Sequence, residues 1–155
     1  MSFAVVTDSL AGLPLEEVAS RGLVVIPLSY YMNGEEPTCQ APEEYDSAAF
    51  FRAMKQRVEV KTSMIPPQRF AEYWEPLLQS ELDILFLSAS SGISSSYQSA
   101  SIAAQQLEES YPERKIRVVD TLSSTLGEGL LVLRAFALRE KGMSLDETAD
   151  TILSL

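Results

Sequence analysis

The chain has 155 residues, is 46% hydrophobic and 22% charged, and carries a formal net charge of −10 with one cysteine and no histidine. A chain of this length suits a single domain and buries about 70% of the surface it exposes when unfolded, so its core needs neither disulfide nor metal. The missing histidine excludes a Ser-His-Asp triad, an imidazole base and a His-ligated metal, and dispersed acidic charge argues against nucleic acid and anionic membrane surfaces as partners.

The first apolar run, residues 3–7, reads as a strand and leads into the polar turn Asp8-Ser9. A short helix is expected over 15–20, with Pro14 in its first turn and Gly22 at its end. Residues 23–31 read as one extended run, ended by the turn pair Asn33-Gly34. The segment 43–57 has helical spacing, with Tyr45, Ala49, Phe50, Ala53 and Met54 as its apolar stripe. Pro66-Pro67 stop any preceding helix and open the next, whose apolar face lies within 70–78.

Residues 82–87 form the strongest buried-strand signal, followed by a serine-rich loop over 88–96 and a helix over 97–107. Another strand is expected over 116–119, ended by Asp120. The helix over 130–138 is apolar enough to require cover on most sides. Ser144 and Glu147 form a capping box for a last helix that has barely begun when the chain ends on apolar residues. That ending points to a further segment beyond it. Strands alternating with helices give an α/β class: three layers, with a largely parallel sheet flanked by helices. Residues 1–155 are read as one α/β domain.

Four polar clusters stand out: Thr7-Asp8-Ser9, Thr62-Ser63, the serines 90–96, and Asp120-Thr121. Three of them follow strands, and open parallel sheets bind ligands outside the carboxyl ends of their strands. The helix after the serine loop offers free N–H groups to an anion, and hydroxyls at Thr62 and Ser94 add neutral donors. Asp8 and Asp120 also suit turns, and the serines suit a cap. Gly127-Glu128-Gly129 lacks the third glycine of a dinucleotide fingerprint and is read as permitting close helix packing. Trp74 and the Tyr30-Tyr31 pair are read as core or interface aromatics. On these residues alone, an enzyme domain acting on a small phosphorylated or carboxylated metabolite remains an alternative to a ligand carrier.

The order of the clusters resembles the DegV family of bacterial lipid-binding proteins. The resemblance lies in Thr7-Asp8-Ser9, Val25-Ile26-Pro27-Leu28, Lys61-Thr62-Ser63, the serine loop from Ser90 to Ala100, and Asp120-Thr121 through Gly129. It implies a non-enzymatic, cytoplasmic carrier of one long-chain fatty acid, without cofactor, metal or stable membrane insertion. The carboxylate is then held by hydroxyls matching Thr62 and Ser94, with Ser63, Ser95, Ser96, Asp8, Ser9 and Asp120 around them. A separate fatty acid kinase phosphorylates the presented carboxyl group, and the acyl phosphate feeds phospholipid synthesis. Ser95 and Ser96 occupy the glycine and threonine positions of the family loop, so Ser95 is expected to take whatever backbone shape that glycine allows. The resemblance also implies that residues 1–155 are the N-terminal half of a two-domain protein, and for this half by itself an exposed apolar groove or self-association is the expected consequence.

Overall fold

A computed structural model describes residues 2–155. Four parallel strands form the central sheet: β1 (Phe3–Asp8), β2 (Val24–Ile26), β5 (Asp83–Ser88) and β6 (Ile116–Asp120), in the order β2-β1-β5-β6. Side chains alternate across it. Phe3, Val5, Leu85, Leu87 and Val119 face one core, built with helices α1 (Leu15–Arg21), α5 (Thr125–Glu140) and α6 (Leu145–Leu153). Val6, Ile84, Phe86 and Ile116 face the other, built with α3 (Pro67–Gln79) and α4 (Ser96–Ser110). Both faces are covered, which is why these strands read as continuous apolar runs rather than alternating ones.

The second core centres on aromatic rings. Phe70, Trp74 and Phe86 pack with centroids 5.0 to 5.5 Å apart at tilted or edge-on angles, the arrangement their quadrupoles favour. Trp74 is thus a core residue, as expected. On the opposite face, Arg139 lies over Phe136 at 4.7 Å and donates to the Phe3 carbonyl at 2.9 Å, tying α5 to the start of β1.

Several expectations are corrected. The run 23–31 is not one strand: it divides at Pro27 into β2 and β3 (Ser29–Met32), which lie in different sheets. Proline has no N–H to donate and cannot continue a ladder. Thr62 and Ser63 do not lie between elements but in β4 (Val60–Ser63), antiparallel to β3, with Tyr30 opposite Thr62 and Ser29 opposite Ser63. Four mostly polar residues give no periodic signal, and only the partner strand makes them a strand. The helix expected over 43–57 is a short 3-10 turn at Pro42–Glu44 followed by α2 (Ser47–Lys55), because the Asp46 side chain accepts from Ala49 N–H and starts the helix there.

The last helix does not stop at its beginning. It runs for 9 residues with the capping box formed, and buries Leu145, Ala149 and Ile152. The apolar stretch 130–138 is covered on most sides as expected, with Val132, Ala135, Phe136 and Leu138 buried, while the start of α5 is open, with Leu126 and Leu130 78% and 66% exposed. Among the described residues no helix is long and apolar enough to cross a membrane.

Candidate functional site

Because β1, β5 and β6 are parallel neighbours in register, their carboxyl ends bring Asp8, Ser88 and Asp120 to one edge. Thr7 lies opposite Leu87, and Ser88 opposite Asp120. The edge between β1 and β5 is the topological switch point. The connection out of β1 runs to β2 on one side, and the chain then returns to β5 on the other.

Asp8 sits in that switch point, fully buried. One carboxylate oxygen accepts from Leu10 N–H at 2.9 Å, and the other from Ala89 N–H at 2.9 Å. It caps the 3-10 turn at Ser9–Ala11 and clamps the start of the serine loop, so it holds backbone and is not open to a ligand. Ser9 is exposed, and its hydroxyl accepts from Leu28 N–H at 3.1 Å, fixing the turn after β2. Asp120 plays a parallel part for the far side of the loop. One of its oxygens accepts from Ser91 N–H at 3.2 Å and Leu122 N–H at 3.0 Å. Partial burial raises its carboxyl, but the Ser91 and Leu122 hydrogen bonds outweigh that and hold it below the ordinary aspartate value.

The loop after β6 is itself strained. Leu122 and Thr125 both have left-handed backbones, with φ of 52° and 51°, a conformation that a β-branched residue adopts only when its surroundings impose it. Here Thr121 donates to the Ser88 carbonyl at 2.7 Å, and Ser90 N–H donates to the Ser123 carbonyl at 2.8 Å. The two loops at this edge therefore brace each other.

The serine loop carries the hydroxyls. Ser94 is partly exposed and Ser96 buried, with their Oγ atoms 2.9 Å apart. Ser96 N–H donates to Ser94 Oγ at 3.1 Å, and Ile65 N–H donates to Ser96 Oγ at 3.0 Å. That last bond joins the segment following β4 to the loop, and it places Thr62 three residues from the serine cluster along the chain. Thr62 is exposed and Ser63 half-buried. Thr62 also lines a shallow depression with Tyr31, Gly34, Glu59 and Lys61 that includes none of the serines. Ser95 is exposed, and its φ of −78° is one that any residue adopts. The first-turn N–H groups of Tyr97 and Gln98 have no acceptor among the described residues, as helix geometry requires.

Glu128 was not legible as a site residue. It lies fully buried in the first turn of α5, with Oε1 3.0 Å from Thr7 Oγ1. Burial first, and then the negative charge of Asp8, push its carboxyl up to about 10, against the opposing Thr7 hydrogen bond. Burial raises Asp8 as well, while the N–H groups of Ala89 and Leu10 and the contact with Glu128 pull it back. Burial, with no donor to Oε2 among the described residues, favours the protonated Glu128 carboxyl, whereas Asp8 accepts two N–H groups. The only signal in the sequence is an acid flanked by two glycines in the first, otherwise uncharged turns of the helix. Gly129 is close-packed as expected: a Cβ there would meet the Ala11 carbonyl oxygen at 2.8 Å.

Around this edge lie exposed apolar side chains, with Ile93 64% exposed in the serine loop and Leu122 77% exposed beside Leu126 and Leu130. Among the described residues no group of three or more His, Cys, Asp or Glu could hold a metal ion.

Comparison with known proteins places this geometry. The DegV family model, described as that of an uncharacterised protein family, matches residues 2–155. A DegV domain-containing protein of Lactococcus lactis is 34% identical over 152 residues, covering 98% of this chain and 53% of its own length. Among solved structures, a DegV family protein from Thermus thermophilus, described by its fatty acid binding, is 32% identical with a TM-score of 0.83, covering 98% of this chain and 52% of that one. DegV from Bacillus subtilis, described as a fatty acid binding protein, is 28% identical with a TM-score of 0.85 and covers 98% and 52%. The chain thus spans about half the length of the relatives it matches.

Proposed function

Since this chain belongs to the DegV family, we propose that it is the first α/β domain of a fatty acid carrier, and that it holds the carboxylate of a long-chain fatty acid at the serine loop without performing chemistry on it. The observation that carries this reading is the Ser94–Ser96 hydroxyl pair, braced by Asp8 and Asp120 at the strand ends and joined to the Thr62 strand through Ile65. Neutral hydroxyls orient a carboxylate without neutralising it. Ser94 and Thr62 are its donors, with Ser63 and Ser95 beside them. Asp8, Ser9 and Asp120 act behind the loop, as its supports. The two similar proteins described as binding fatty acid support the ligand.

The acyl chain supplies the affinity. Each buried methylene contributes about 0.8 kcal/mol, so a long tail gains on the order of 10 kcal/mol before association costs. The exposed Ile93, Leu122, Leu126 and Leu130 give that tail, and the remaining half of the protein, an apolar surface to cover. In this reading the presented carboxyl group is phosphorylated by a separate fatty acid kinase.

The test is titration of the delipidated full-length protein with stearate. Thr62→Ala and Ser94→Ala are each expected to weaken binding by roughly tenfold, the loss appropriate to one hydrogen bond to a charged group; Thr62→Ala leaves the melting temperature unchanged, whereas Ser94→Ala also removes the acceptor of Ser96 N–H and lowers it. Unchanged affinity in both variants removes the site. Heat protection by phosphate or nucleotide, with none by fatty acid, would favour the enzyme-domain alternative instead.

A further inference from the structure

The geometry points to Ser96 as a positioning residue that aims the Ser94 hydroxyl outward at an anionic ligand, rather than as a ligand-binding residue itself. The inference rests on the fatty acid reading for the identity of that ligand but not for the arrangement of the hydroxyls. Each hydroxyl has one proton and two lone pairs. Two donors around the pair are fixed because they are backbone amides: Ile65 N–H points at Ser96 Oγ, and Ser96 N–H at Ser94 Oγ. Only the polarity of the 2.9 Å contact between the two hydroxyls remains open to choice.

If Ser94 donated to Ser96, the Ser96 oxygen would take two donors. Its own proton would then be buried, with no other partner among the described residues, since Ser96 is 1% exposed. A buried donor left without an acceptor is the costly arrangement. If Ser96 donates to Ser94, every polar atom of Ser96 is satisfied. Ser94 Oγ then accepts twice, and its proton must turn away from the pair. Ser94 is the partly exposed member, so that proton meets solvent or ligand. Burial therefore selects a one-way chain from Ile65 N–H to Ser96 to Ser94 and outward. Each link polarises the next, which strengthens the last donor toward a negative charge. It also makes the loop sensitive to the segment after β4, because Ile65 sits at the head of the chain.

The polarity can be read without any lipid. Neutron diffraction from deuterated crystals of the full-length protein is expected to show the Ser96 deuterium on the line to Ser94 Oγ and the Ser94 deuterium turned away. The reverse orientation overturns the inference whatever the protein binds. Its consequence is read by titrating wild type, Ser94→Ala, Ser96→Ala and Ser96→Thr with stearate and with methyl stearate. Ser96→Ala is expected to weaken stearate by roughly tenfold, as Ser94→Ala does, and the double variant to lose no more than either. Ser96→Thr, which keeps the hydroxyl, restores binding, and methyl stearate binds all four alike. An equal loss for acid and ester in Ser96→Ala, or no rescue by threonine, makes Ser96 a merely structural residue. A loss in Ser94→Ala with none in Ser96→Ala leaves the carrier reading standing and removes the relay. Stearate binding that neither variant alters, or no binding at all, removes the carrier site while the neutron result still decides the polarity.

Discussion

The parallel sheet and the β3–β4 pair with α2 draw on the same kinds of side chain and hold them in different ways. Phe86 is completely buried among Phe70, Trp74 and the residues of α4, with a covered sheet on one side and helices on the other. Phe50, in α2, also packs against aromatic neighbours, edge-on to Tyr30 at 5.3 Å and tilted to Tyr45 at 5.6 Å, yet α2 has no buried residue and Phe51 and Met54 are exposed. Aromatic contact alone does not make a core. A second layer must exclude water from the other side, and the two-stranded unit lacks one.

Four substitutions press on that contrast. The largest effect is expected from Phe86→Ala, at about 3–5 kcal/mol in urea denaturation, against about 1 kcal/mol for Phe50→Ala, whose site is already wet and can collapse. Equal costs would mean that the β3–β4 unit belongs to the same cooperative core.

Next comes Glu128→Gln, which reaches the sheet through its buried acid. The ordinary glutamate value is 4.5, and the folded value is raised to about 10, so between these the folded state binds a proton that the unfolded state has released. Stability from this group is fully present below the lower value and is lost as pH rises toward the upper one. The slope approaches about 1.4 kcal/mol per pH unit. Melting curves across neutral and alkaline pH are expected to show this fall in wild type and a much flatter profile in the glutamine variant. Parallel profiles would mean that Glu128 is not protonated in the fold. Gly129→Ala follows, at about 1–3 kcal/mol, because the new Cβ must displace the Ala11 backbone rather than a flexible side chain. Thermal melting reads it, and an unchanged midpoint would show that α5 can move away from the turn at Ser9–Ala11.

The elements of the sheet were legible because their signals are local and long. The runs 3–7 and 82–87 are continuous apolar stretches, Pro66-Pro67 punctuate the chain, and Ser144 with Glu147 announces a helix by its cap. The three polar clusters after strands gather at one edge because parallel register alone carries the ends of β1, β5 and β6 there. What stayed hidden depends on partners far apart in sequence. Val60–Ser63 is a strand only because β3 lies beside it. Asp8 became a support rather than a ligand only when Ala89 and Glu128 arrived from 81 and 120 residues away.

Fold class, the strand ends that gather the polar residues, and the family motifs are all local properties of the chain, because periodicity, turn chemistry and residue order are written along it. Tertiary structure alone decided which hydroxyl keeps a free proton, which carboxyl keeps its own, and which leucines are left uncovered. Those outcomes depend on how completely water is excluded from each group, and burial is a property of the packed layers rather than of any local stretch of residues.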